Sequence, residues 1–132
     1  MRNSAESVVR DYLAAWQDPK LDDLVSFFDK DALYVPGPLG AHRGVEAIRA
    51  ELESTLSALT SATFDLVSVV SDGTTVMVER VDHLTMAGGS YQVEAVVVFT
   101  IGDDGHITRL REYFDLKSLM DQFEHHPQPS EG

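Results

Sequence analysis

The sequence predicts an α+β domain: a group of N-terminal helices packed on one face of an antiparallel sheet that curls around them. Two observations carry this. Apolar residues recur at three- and four-residue intervals as far as residue 59, the mark of amphipathic helices. From residue 64 the pattern changes to strands of period two, separated by turns rich in Gly and Asp. At 132 residues, 43% hydrophobic and 24% charged, the chain has room for one core and the composition of a folded domain.

The first helix is expected over 4–17, where Val8, Val9, Tyr12, Leu13 and Trp16 share a face and Ser4 offers an N-cap. Asp18, Pro19 and Lys20 break it. A short helix over 21–28 turns Leu21, Leu24, Val25 and Phe28 inward, and a short strand covers 32–36. Gly37, Pro38, Leu39 and Gly40 must be loop, because Gly and Pro both resist regular continuation. A third helix is expected over 45–59, with Ile48, Leu52, Leu56 and Leu59 inward. Strands follow over 64–70, 75–86, 91–101 and 106–115, and a closing helix over 116–123. The domain is read as 1–124, with 125–132 a flexible tail rich in His, Pro and Ser.

The formal net charge of −12 and the scattering of only ten Lys and Arg argue against nucleic acid and anionic membrane as partners, since both require clustered cations. No apolar run reaches the ~20 residues of a membrane span. No basic flank followed by an apolar core opens the chain, so the expected location is the cytoplasm. With no cysteine there is neither disulfide nor thiolate metal site. The five histidines show no spacing with Asp or Glu that demands a metal, and no phosphate loop, nucleophile elbow or dinucleotide fingerprint is present.

Period-two reading of the strands isolates three charges. In 75–85 one face carries Val76, Val78, Arg80, Asp82 and Leu84, an apolar row with an Arg and an Asp set into it. Later, Glu112 shares a face with Leu110 and Phe114. Burying charge is expensive unless it is paired, so Arg80, Asp82 and Glu112 are candidates for one constellation. A solvated ion-pair network on an exposed sheet face accounts for the same pattern. Met77 with Val81, and Val96 with Val98, leave apolar residues on the opposite faces of two strands. Apolar residues on both faces of a sheet need cover on both sides, and a homodimer is expected through the outer one.

Glu79-Arg80-Val81-Asp82, Ser90-Tyr91, and Arg111-Glu112-Tyr113-Phe114-Asp115-Leu116, in this order and spacing, resemble the limonene-1,2-epoxide hydrolase family. Tyr34, after an acidic-Ala-Leu stretch and before a Pro-containing loop, matches that family's active-site Tyr. The likeness runs from about residue 8 to residue 123. It implies the cone-shaped fold of the nuclear transport factor 2-like superfamily, a curved, mixed, mostly antiparallel sheet wrapped around N-terminal helices, usually dimeric. It implies one-step addition of water to a small lipophilic epoxide, without cofactor, metal or covalent intermediate. By the resemblance Asp82 protonates the epoxide oxygen, Glu112 activates water, Arg80 bridges them and Tyr34 holds the water. Trp16, Val78, Leu84, Val93, Ala95, Leu110 and Phe114 are expected to wall the substrate pocket.

Two positions depart from the family. Glu112 stands where Asp is usual, and Pro36 stands where an Asn follows the Tyr by two residues. The same superfamily includes ketosteroid-isomerase-like and SnoaL-like polyketide isomerases and cyclases, epoxide-opening cyclases among them, and a non-catalytic ligand-binding module is a third reading. The isomerases use a carboxylate on the strand around Tyr34, or a His-Asp pair, and Tyr34, Val35 and Pro36 supply no carboxylate.

Overall fold

The computed structural model describes residues 4–125. Helix α1 (Ala5–Ala15) starts at Ser4, whose hydroxyl accepts the Ser7 N–H at 3.1 Å. That cap satisfies one of the N–H groups a helix start leaves unpaired. Val8, Val9, Tyr12 and Leu13 form its buried stripe, and the Trp16 carbonyl just beyond accepts the Ala62 N–H at 3.0 Å.

Helix α2 (Leu21–Ser26) is shorter than its periodicity suggests. Phe28, expected as its last inward residue, instead opens strand β1 (Phe28–Pro36), four residues before the expected strand start. Tertiary pairing decides this. Phe28 stands opposite Ile107, and the Phe27 carbonyl accepts the Ile107 N–H at 2.8 Å. The exposed Lys30 and Asp31 hide the strand from a pattern search, and the register shifts between Phe28 and Leu33.

A single 3-10 turn (Gly37–Leu39) leads to β2 (His42–Arg43), a two-residue strand too short to show any period. Gly37 has φ +60°, and a methyl group there would overlap the Phe114 ring, so only glycine fits. Helix α3 (Val45–Ala58) runs directly into β3 (Leu59–Ser71). Leu59 is therefore a strand residue, paired with Met86, and not the end of the helix. Register shifts at Leu59/Ser61 and Leu66/Ser68 break the alternation of β3. Irregularities of this kind bend a strand and increase its twist.

Strands β4 (Thr75–Met86), β5 (Gly89–Ile101) and β6 (Ile107–Phe114) follow as a meander, closed by α4 (Leu116–His125). Helix α4 takes in His125, the first residue of the expected tail; 126–132 lie outside the described residues. The sheet order is β2-β1-β6-β5-β4-β3, with β6 parallel to β1 and every other pair antiparallel. The helices fill the concave side, where Leu24, Ile48, Leu52, Phe99, Ile107 and Leu110 are fully buried. Tyr12 of α1 meets Phe27, Phe28 and Phe99 edge-on at 5.5 to 6.0 Å, a favoured aromatic arrangement.

Candidate active site

Along the inner face of β4, Val76 and Val78 have no exposed surface, and then come Arg80 and Asp82 at 4% and 7% exposure. Among the described residues these two are the only charged side chains so deeply buried. Glu112 reaches them from β6 with β5 between. The register places Arg80 opposite Ala95, and Glu112 opposite Val97, the next inward residue of β5. Ala95 is small, which leaves space for the guanidinium to lie across β5. Arg80 Nη2 donates to Glu112 Oε2 at 2.9 Å and to Asp82 Oδ2 at 3.2 Å. Arg80 Nε and Asp82 Oδ1 stand 2.7 Å apart as an ion pair, but neither atom has a hydrogen-bond partner. The Phe64 ring lies 4.5 Å from the guanidinium carbon, a cation–π contact that helps hold a desolvated Arg.

These groups stand in the wall of a cavity of about 240 Å³, just below the ordinary ~300–1,000 Å³ range of ligand sites. Of the sequence-expected residues, Arg80, Asp82, Glu112, Tyr34, Trp16, Leu84, Val93, Ala95 and Phe114 all line it. Val78 and Leu110 do not; both are core residues, at 0% and 1% exposure. The Arg80–Glu112 bridge spans the row in which Val78 stands, and Leu110 lies one inward position deeper than Glu112. Pro36, opposite Glu112 across the β1–β6 pair, also faces the cavity. Periodicity alone missed Phe64 of β3, Glu51 and Thr55 of α3, and Leu119 of α4. Glu51 had a signal: with Ile48, Leu52 and Thr55 it completes an i, i+3, i+4, i+7 stripe, a charge on an otherwise inward helix face.

Burial raises the proton affinity of both carboxyls. Asp82 is pushed up by desolvation and pulled back by Arg80. Glu112 is pushed up by desolvation, pulled back by Arg80, and pushed up again by the charge of Asp82. They titrate as a coupled pair in which the first proton is held more tightly than by a free carboxyl. Asp82 lies against two Arg80 nitrogens, and Glu112 accepts a hydrogen bond from one of them. Tyr34 is buried, and its hydroxyl is held neutral by desolvation and by the neighbouring charge of Glu112. The Tyr12 hydroxyl is likewise raised by burial, against a hydrogen bond with Trp16. His83 falls on the outer face, where Nε2 lies 2.8 Å from Asp65 Oδ2. No group of three or more His, Asp or Glu among the described residues could hold a metal ion, and no helix among them is long and apolar enough to cross a membrane.

A cone of N-terminal helices within a curved six-stranded sheet is the nuclear transport factor 2-like, or ketosteroid-isomerase-like, fold. The chain belongs to the SnoaL-like domain family, whose model matches residues 9–110. It is similar in structure to an LEH-like epoxide hydrolase from M. tuberculosis, at 24% identity and a TM-score of 0.78, over 92% of this chain and 90% of that one. It is similar to a Shewanella denitrificans protein assigned as a SnoaL-like polyketide cyclase, at 14% identity and a TM-score of 0.82, over 92% and 97%. A third is SalBIII, an epoxide hydrolase/cyclase-like enzyme of pyran ring formation in polyether salinomycin, at 21% identity and a TM-score of 0.75, over 86% and 92%. At these identities the likeness establishes the fold.

Proposed function

We propose that the chain is a cofactor-independent epoxide hydrolase that adds water to a small lipophilic epoxide in one step, giving a vicinal diol. The observation that carries this reading is the buried Arg80 holding two carboxyls in the wall of a mostly apolar cavity. An epoxide oxygen is weakly basic and its ring is strained, so it opens readily when an acid pulls on oxygen while a base pushes water onto carbon. In the proposed step Asp82 gives its proton to the epoxide oxygen as the C–O bond breaks. Water forms the new C–O bond at carbon and passes a proton to Glu112. Solvent then returns a proton from Glu112 to Asp82.

Glu112 takes the basic role because Tyr34 is its neighbour, and the two together can hold a water. Both groups remain ordinary acid–base catalysts, typically worth ~10²–10⁴-fold each.

Incubation with a panel of terpene and aryl epoxides is expected to yield diol. A single turnover in ¹⁸O water should label that diol fully, since water attacks directly. Absence of turnover across the panel would sink the reading. Unlabelled diol with ¹⁸O left in Asp82 or Glu112 would replace the one-step route by a covalent one.

We also propose a homodimer formed through the outer face of the sheet. There Val70 pairs with Met77, and Val96 with Tyr113, each of them 44% to 66% exposed; Met77 pairs on with Val98, which adjoins Val96 on the same face, so the apolar residues run diagonally across four strands between Glu79 and Arg111. Contiguous apolar surface of this kind marks an interaction site. Sedimentation at micromolar concentration should give the mass of two chains, and Met77→Lys should shift it to one; a wild-type monomer refutes the proposal.

A further inference from the structure

The cavity has a second polar pole on the wall formed by α3. Glu51 lines it there, with a side chain 24% exposed, while Ile48 and Leu52 on the same helix have no exposed surface. Behind the carboxylate stands His42 of β2, whose Nε2 lies 3.6 Å from Glu51 Oε1. That nitrogen is buried and has no hydrogen-bond partner. The His42 ring packs on Tyr34, its direct cross-strand partner, with centroids 6.3 Å apart. Glu51 is close enough for its charge to act on the Tyr34 hydroxyl. An apolar residue would fit the wall of a cavity for hydrocarbons better than Glu51, because a carboxylate facing apolar ligand loses hydration without compensation.

We propose that Glu51, positioned by His42, receives a hydrogen-bond-donating group of the substrate on the α3 wall of the cavity. The substrate is then a polar-headed epoxide and not a plain terpene: the reacting ring sits against Asp82 and Glu112, and a hydroxyl or ammonium group meets Glu51. The assignment of the two poles rests on the hydrolase reading, but the binding preference at Glu51 does not. An ammonium group would gain charge attraction as well as a hydrogen bond, whereas a hydroxyl would gain the hydrogen bond alone.

The test uses binding, so that it does not depend on turnover. Trp16 is the only tryptophan in the chain and lines the cavity, so its fluorescence reports occupancy. Three probes of nearly equal shape are titrated: ethylcyclohexane, cyclohexylmethanol and cyclohexylmethylamine. Glu51→Leu is expected to weaken the alcohol, the amine or both by about 10- to 100-fold relative to its effect on ethylcyclohexane, the usual worth of a hydrogen bond to a charged group. Glu51→Gln keeps the shape and an acceptor, so it should largely retain the alcohol and lose the amine. His42→Phe should reproduce part of the Glu51→Leu loss with the same selectivity among the three probes, which a merely structural role would not do. Equal changes for all three probes, or no binding of any of them, overturn the inference. Selective loss in a protein inactive on every epoxide leaves this pole standing and removes the hydrolase reading. Turnover of epoxides with no selective loss does the reverse.

Discussion

Asp82→Asn and Glu112→Gln should each remove most epoxide turnover while leaving the fold intact. Both changes keep the shape of the side chain and the packing against Arg80, but neither amide can cycle a proton. The expected fall is ~10²–10⁴-fold in kcat for each. Groups that act as a unit are not additive, so the double variant should be scarcely slower than the worse single one. The two single variants should also differ. An Asn at position 82 still offers an N–H to the epoxide oxygen, whereas a Gln at position 112 offers nothing that can take a proton from water. Asp82→Asn should therefore be the less damaging change. The reverse order would move the acid to Glu112. Near-normal turnover in Glu112→Gln would remove this residue from the chemistry altogether.

Arg80→Ala should damage both rate and stability. Its side chain is 5% exposed and neutralises two carboxyls that are themselves only 10% and 18% exposed. Breaking a buried ion pair from one side typically costs ~3–5 kcal/mol. The pH dependence identifies the cause. In the wild-type chain both carboxyls are raised by burial, so the folded state binds protons more tightly than the unfolded one. Their contribution is most favourable below the ordinary carboxyl range of ~4 and is lost as pH rises through the raised folded values. Without Arg80 those values rise further. The deficit of Arg80→Ala in Tm should thus be greatest at neutral and alkaline pH and shrink as the medium approaches pH ~4. A deficit independent of pH would mean that lost packing, including the contact with Phe64, accounts for it.

Alternation in β4 and β6 was enough to pick out Arg80, Asp82 and Glu112, because an ion cluster on the concave face leaves charges inside apolar rows. Tyr34 and the proposed catalytic roles came from family resemblance. Val78 and Leu110 satisfy the same alternation and still lie outside the cavity, since a period of two assigns a face but not a depth along it. The start of β1 at Phe28 was hidden because its pairing partner, Ile107, is distant in the chain. The start of β3 at Leu59 was hidden by an apolar residue that fits a helix stripe as well as a strand and by bulges that disturb the alternation. Glu51 was overlooked because a Glu in a helix is most often a solvated side chain, and only the fold shows which surface that stripe meets.

The position of β6 has a consequence for the order in which the site is made. Strand β1 is joined to the rest of the sheet only through β6, which follows every other strand among the described residues. Until residues beyond 107 are available, β1 with β2 and the β3–β4–β5 meander are two separate pieces, each with a bare edge. The long-range closure that joins them also delivers Glu112 to Arg80 and sets it beside Tyr34 and Pro36. During synthesis the meander can pair locally, but the pocket cannot exist before β6 has left the ribosome and slotted in. The nascent chain is therefore exposed to pairing with other strands until β6 arrives.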